Sequence, residues 1–430
     1  MRLSDYNTPL SGMLAAQLGL QATQQNLSNV HTPGYVRQQV NYKSVGGTNG
    51  GSHWGQIGYG VQTENIERVT DEVKTRQYNE QLSHLAYYSY FSSFMSQVES
   101  AVGTPGENSL SSLMDNFFNG FREVAKNPEH PNYYHTLIAE TSKFTNQVNR
   151  IAKDFENAEL TAGRDIIGHT DEFNRLAENL AEANRKIGQA ISPIPNQLLN
   201  ERDLIIQEMS QYANIEVAYE HTNPEIASVR ISGMLTVSGQ DTYKLDLDTK
   251  TNEIQISGVT VSLQGGSILA AMDAKKTVAG YRKDFEMLMS SLKDNVNTIT
   301  GKDFFVGENA TKLELNPVFV KDVSQMKMSV ETANKLAVLG DEQYGGNMTF
   351  KQTLDKQLVQ VASDAKKVSD FQKIHGDLLE GIGQQKSGIE GVNIDEEMVN
   401  LMTYQRYFIA NSKAINTLNE VFDSLFSIMR

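Results

Sequence analysis

Residues 6–36 read YNTPLSGMLAAQLGLQATQQNLSNVHTPGYV, thirty-one positions without one Asp, Glu, Lys or Arg. Gln and Asn stand where a helix facing water usually carries Glu and Lys. Such a segment is too polar for lipid and too uncharged to stand alone in water, so it is suited to packing against protein on several sides. Thr8 and Pro9 read as an N-cap and first helical residue. Met13, Leu20 and Leu27 then recur every seven residues, with Leu10 one turn ahead and Gln17 and Gln24 continuing its row, a weak coiled-coil seam. Pro33 and Gly34 end the helix in a turn.

The other end of the chain answers this one. Ile394, Leu401, Phe408, Ile415, Phe422 and Met429 are spaced by seven. Asn393 with Glu396 has capping-box spacing, and Asp395, Glu396 and Glu397 put negative charge at the positive end of the helix dipole. Met398, Met402, Tyr404, Tyr407, Leu418, Val421, Leu425 and Phe426 lie off the stripe and widen it. Burial of one stripe does not offset the entropy of ordering so long a helix. The expectation is that both ends are loose in a lone molecule and become ordered among neighbouring copies.

Working inward, 36–42 alternates like a strand, and 46–51, GGTNGG, reads as a loop. From 64 to 213 the periodicity is helical, with breaks at 103–109, 127–128 and 191–195. Residues 214–265 alternate apolar and polar between turn signals, giving about six short antiparallel strands. Helix resumes over 268–299, 301–347 is irregular with one possible strand near 312–315, and 350–385 is helical again. The expected fold class is mainly α with a small inserted antiparallel β domain. The expected domains are a terminal coiled-coil assembly domain (1–42 and 392–430), a long helical-rod middle domain (43–213 and 266–391) and the β insertion (214–265).

Composition excludes several function classes. The 430 residues carry a net charge of −14, against the basic face that nucleic-acid binding requires. With no cysteine there are no disulfides, thiolate metal sites or thiol nucleophiles. MRLSDYNTPL has no apolar core or cleavage signature, so an ordinary cleaved secretory signal is not expected. No P-loop, HExxH, GxSxG or dinucleotide fingerprint is present. His130 and His135 are the closest histidine pair, but their prolines and spacing do not place two ligands on one helical face. GQIGYG at 55–60 reads as a turn. No catalytic, cofactor or metal residue is assigned; the chemistry here is assembly.

Two motifs then carry a resemblance. Asn26-Leu27-Ser28-Asn29-Val30-His31-Thr32-Pro33-Gly34-Tyr35 resembles the NNxANxxTPGY signature of bacterial flagellar rod, hook and hook-associated proteins. The run 392–401, followed by Tyr404-Gln405 and Ala410-Asn411-Ser412-Lys413, is similar to the same family's terminal signature. Hook and rod members carry mainly β bodies. Long helices with one small β unit, and the segment 304–329, instead resemble the members at the hook–filament junction.

The resemblance implies an extracellular flagellar subunit exported through the type III apparatus by an uncleaved N-terminal signal. It implies self-association as a ring within a helical tube, with hook subunits, a second hook-associated junction protein and an export chaperone as partners. No nucleic acid and no membrane insertion are expected. The activity would be mechanical adaptation between a bending hook and a stiffer filament; the alternative is another axial subunit, of hook or distal rod. A secreted enzyme with helical arms is the competing class, and no nucleophile or paired-carboxylate motif supports it. The residues expected to carry assembly are Leu10, Met13, Leu20, Asn26, Leu27, Asn29, Thr32, Pro33, Gly34 and Tyr35 at the N-terminus. At the C-terminus they are Ile394, Leu401, Gln405, Phe408, Asn411, Ile415, Leu418, Phe422, Leu425 and Met429. The chain departs from longer members in having one β insertion of about fifty residues, so a second outer domain is expected to be missing.

Overall fold

The computed structural model describes residues 4–46, 58–103, 106, 108–220, 223–248, 251–344 and 347–428. Helix α1 (Ser4–Ser28) leads into a hairpin of β1 (Gln38–Ser44) and β2 (Val61–Arg68), paired antiparallel with Val40 opposite Ile66. Helices α2 (Glu72–Val102), α3 (Leu110–Lys126), α4 (Pro131–Gln189) and α5 (Asn196–Tyr212) follow. Seven short strands come next: β3 (Glu216–Tyr219), β4 (Ala227–Ile231), β5 (Met234–Ser238), β6 (Asp241–Thr242), β7 (Leu245–Asp248), β8 (Glu253–Ile256) and β9 (Val259–Thr260). The chain returns through α6 (Gly266–Thr300), β10 (Phe305–Val306), β11 (Glu314–Leu315), α7 (Pro317–Lys321) and α8 (Val330–Leu339). It ends with α9 (Phe350–Glu390) and α10 (Ile394–Ile428). The class is mainly α, with small antiparallel sheets.

Helices α2, α4, α6 and α9 form the rod. At 59 residues, α4 is about 90 Å long at 1.5 Å per residue. Its apolar stripe, including Leu137, Phe144, Ile151, Ile166, Phe173 and Leu180, is fully buried over most of that length. Three tyrosines of α2 each reach a different neighbour. Tyr87 donates to Asp273 of α6 at 2.9 Å, and Tyr90 donates to Asp165 of α4 at 2.7 Å. Tyr88 stacks on Phe371 and His375 of α9 at centroid distances of 5.3 and 4.7 Å. At one end of the rod, Phe117 and Phe121 of α3 meet Phe144, Phe304 and Phe305 in a dry aromatic layer.

The β unit consists of two sheets, ordered β3-β4-β5-β6 and β7-β8-β9. Val229, Ile231, Val237, Leu245, Ile254 and Ile256 fill the space between them. Two asparagines of α4 tie it to the rod. Asn174 exchanges two hydrogen bonds of 2.8 Å with the backbone of Leu245, and Asn184 donates to Ala227 and Gly239 while accepting from Ala227. These amides satisfy backbone groups that burial would otherwise leave unpaired.

Several elements differ from the sequence reading. Residues 64–68 are strand, because β2 pairs with β1; α2 begins only after Asp71, whose carboxylate accepts from Val73 and Lys74 N–H. The hairpin also carries β1 past residue 42, the boundary drawn for the terminal domain. Helix α8 lies within the stretch read as irregular, with Ser329 as its cap and Ala333, Leu336 and Leu339 buried. Helix α9 runs on past 385, where the sequence reading ends it, to Glu390, whose buried carboxylate accepts from Asp71 N–H. His130 caps α4, its Nδ1 accepting from Asn132 N–H. Loop 46–51 and turn 55–60 lie largely outside the described residues.

Candidate assembly surface at the chain ends

Helices α1 and α10 pack antiparallel, and three contacts seven residues apart set their register. Gly12 lies against Asn411, Gly19 against Tyr404, and Asn26 against Glu397. A Cβ on Gly19 would fall 2.6 Å from the Tyr404 ring, and one on Gly12 would fall 2.8 Å from Asn411 Oδ1. The glycines therefore set how closely the helices approach. At the far end Tyr6 stacks on Phe422 at 5.4 Å and donates to Asn419 Oδ1 at 2.8 Å.

This seam corrects the sequence reading of α1. Its buried side chains are Pro9, Ala15, Ala16, Ala22, Thr23 and Asn26, none of them large and apolar. Met13, Leu20 and Leu27 are only half-buried, and Leu10 is exposed. The α1 start also shifts: Ser4, the first described residue, is already helical, which leaves Pro9 inside the helix, and Tyr6 is held by α10. On α10, Leu401, Phe408, Asn411, Ile415, Leu418 and Phe422 are half-buried, whereas Ile394, Gln405 and Leu425 are exposed. Met429 lies outside the described residues. Beyond the seam, Met398, Val399, Met402, Tyr407, Ile409 and Phe426 stand exposed, the last at 65%.

At the base of the pair the N-terminal motif builds a polar node. Asn26 uses all four of its hydrogen-bonding positions. Its Nδ2 donates to Gln38 O at 2.9 Å and to Glu397 Oε1 at 3.1 Å, while Oδ1 accepts from Tyr35 OH at 2.8 Å and Gln38 N–H at 2.9 Å. Asn29 shapes the turn, donating to Gln25 O and accepting from the Thr32 hydroxyl. Pro33 is exposed, and Gly34, at φ +73°, takes the left-handed conformation beside Leu204 of α5. Arg37 joins the node from the strand side, with Nη1 3.5 Å from Glu396 and its N–H donating to Glu390 O.

Glu397 is the residue the sequence reading placed least well. It was grouped with Asp395 and Glu396 as dipole charge, yet it is buried at 3% exposure. Burial raises its pKa above the ordinary carboxylate value; hydrogen bonds from Asn26 and Thr23 and the charge of Arg37 offset part of that, and Glu396 adds to it. The Tyr35 phenol is pushed up to about 12, first by burial and then by the Glu397 charge. Burial and a hydrogen bond with Tyr404 likewise raise Tyr42, whose hydroxyl lies 3.2 Å from Ala15 O. One signal could have found this seam: Gly12, Gly19 and Asn26 are themselves spaced by seven. Asn393 caps α10 through Asp395 and Glu396 N–H, while the Glu396 carboxylate turns to Arg37.

Among the described residues, no group of three or more His, Asp or Glu is placed to hold a metal ion, and no helix is long and apolar enough to cross a membrane. The pattern of the flagellar hook-associated protein FlgK helical domain matches residues 95–312, half of the chain. The chain belongs to that family. The pattern of the flagellar basal body rod FlgEFG protein C-terminal region matches 388–428, covering α10. Flagellar hook-associated protein 1 of Bacillus subtilis (strain 168) is 25% identical over 249 residues, 56% of this chain and 49% of that relative. The protein of the same name from Escherichia coli (strain K12) is 20% identical over 547 aligned positions, covering 98% of this chain and 99% of its own. That alignment is longer than this chain, so the relative carries insertions that the chain lacks. The structure of the flagellar hook junction protein FlgK from Burkholderia pseudomallei covers 52% of this chain and 43% of its own, at 22% identity and a TM-score of 0.47. The family is one of flagellar structural proteins, and the chain is not an enzyme.

Proposed function

We propose that this chain is an extracellular structural subunit joining the flagellar hook to the filament, assembling as a ring through α1 and α10. The supporting observation is how the terminal pair is buried. One seam, lined by small residues, is filled within the chain, while apolar side chains on other faces of α10 remain open to neighbours. A helix pair that is apolar beyond its own seam is completed by further helices, as in the wall of a tube. The 1–42 and 392–430 segments serve as the assembly domain, the helices between as a rod, and 214–265 as an outward β unit. Partners in this reading are further copies of the chain, hook subunits and a second hook-associated protein, with a chaperone during export. The mechanical role is to adapt a bending hook to a stiffer filament.

Electron microscopy of cells lacking the protein tests the position: intact hooks without filaments support the junction, whereas absent hooks point to a hook or distal-rod subunit. Removal of 393–430 tests the means. The truncated chain should remain folded in its rod and fail to join hook tips. If it still supports filaments, assembly does not run through α10.

A further inference from the structure

The rod carries apolar side chains that the terminal helices do not explain. On α9, Phe371, Ile374 and Leu378 are 47%, 51% and 50% exposed, spaced i, i+3, i+7 along one face. On α4, Leu160 and Ile167 are 57% and 49% exposed and seven residues apart, again one face. The tyrosines of α2 fix where these stripes sit. Successive helical residues turn by about 100°, so Tyr88 points about 100° one way from Tyr87 and Tyr90 about 60° the other way. Tyr88 meets α9 and Tyr90 meets α4, which places those helices about 160° apart around α2.

The same residues fix the height. Tyr90 bonds Asp165, between Leu160 and Ile167, and Tyr88, about 3 Å along the axis, stacks on Phe371. The two stripes therefore lie level with each other on opposite flanks of the rod.

We propose that the α4 stripe of one copy packs against the α9 stripe of the next copy in the ring. This rests on the ring reading above and names the rod surface that it uses. Equal height on opposite flanks suits copies related by rotation about an axis parallel to the rod, a heterologous contact that closes. A two-fold dimer would place one stripe on itself and leave the other open. The bordering charges agree: Arg164, four residues on from Leu160, flanks the α4 stripe and Asp377, three residues on from Ile374, borders the α9 stripe; both are exposed, and among the described residues neither has an ion-pair partner. Lys367, on the α9 stripe, is engaged with Asp364. Five side chains cover much less than the roughly 800 Å² per partner of a stable complex, so the contact acts only alongside the terminal helices.

Because the chain has no cysteine, introduced thiols are the only ones it carries. Leu160→Cys and Ile374→Cys, each exposed and so leaving the melting temperature unchanged, are supplied together to cells with no other copy. Hook-tip structures are then oxidised and run on non-reducing gels. The expected result is a covalent dimer with the mixture and none with either variant alone, and a ladder of multimers when both substitutions share one chain. A dimer from Ile374→Cys alone overturns the proposal in favour of a two-fold contact. Variants that reach the hook tip without cross-linking overturn it while leaving the ring intact. Absence of the unoxidised wild-type chain from hook tips removes the ring reading and this contact with it.

Discussion

Phe117 and Phe408 are both helical phenylalanines, in surroundings that differ in kind. Phe117 is fully buried, with Phe121, Phe144 and Phe305 at centroid distances of 5.0, 5.5 and 5.5 Å. Phe408 is half-buried beside a helix whose facing residues are glycine, alanine and asparagine. The rod has completed its core inside one chain. The terminal pair has closed a single seam and leaves apolar side chains of α10 exposed. The proposed function assigns stability and assembly to these two regions separately, and substitutions should separate them.

The largest separation is expected from truncating these two rings. Phe117→Ala should lower unfolding stability by about 3–5 kcal/mol, as for other buried phenylalanines, and calorimetry on the purified chain reads it directly. Phe408→Ala should cost about 1 kcal/mol or less in the lone molecule and yet abolish incorporation at hook tips. Equal destabilisation by the two would mean that α10 is as much a core element as α3. Hydrogen exchange sharpens the same contrast: amides of 141–155 should be strongly protected, and those of 401–422 weakly protected until the chain assembles.

A second test acts on the seam alone. Gly19→Leu drives a side chain into Tyr404 and should cost about 1–3 kcal/mol, as overpacking does. The loss should appear as faster exchange in α1 and α10, with the rod transition unmoved. Tyr404→Ala in the same chain should recover part of it by vacating the space. If Gly19→Leu is silent, the glycines do not set the helix approach.

These contrasts also explain what could be read from residues alone. Helix α3 starts and stops where its caps and breakers stand, and the β unit appears in period-two alternation, because both signals are local. The strand β2 was missed because VQTENIER is ambiguous until β1 is beside it. The seam of α1 is displaced from its sequence expectation because large apolar residues ordinarily mark a helix contact, whereas this contact uses residues small enough for close approach. Glu397 was misread because helix-start charge and a buried hydrogen-bond acceptor look the same in sequence; Asn26 and Arg37, hundreds of positions away, decide between them.

Smaller effects should come from the node. Tyr35→Phe removes one donor from Asn26 Oδ1, which keeps Gln38 N–H, and should cost about 0.5–1.5 kcal/mol. The exchange rate of the 29–38 backbone is the readout. Asn26→Leu, which strips four bonds and takes one of its hydrogen-bond donors from Glu397, should exceed it clearly.

The finest effect is in pH. The folded-state pKa of Glu397 lies above its unfolded value near 4.5, first because of burial. The folded state therefore holds the proton more tightly, and the stabilisation is complete below about 4.5 and lost as pH rises through the folded pKa. Arg37 and Glu396 are the charged groups that face Glu397. The terminal pair should tighten as pH is lowered from neutral towards 5, seen as slower intrinsic-corrected exchange at 23–27 and 397–404. Glu397→Gln keeps an acceptor for Asn26 and cannot ionise, so it should hold the tighter state at neutral pH and flatten the slope. An unchanged slope in that variant would move the titrating group elsewhere in the node.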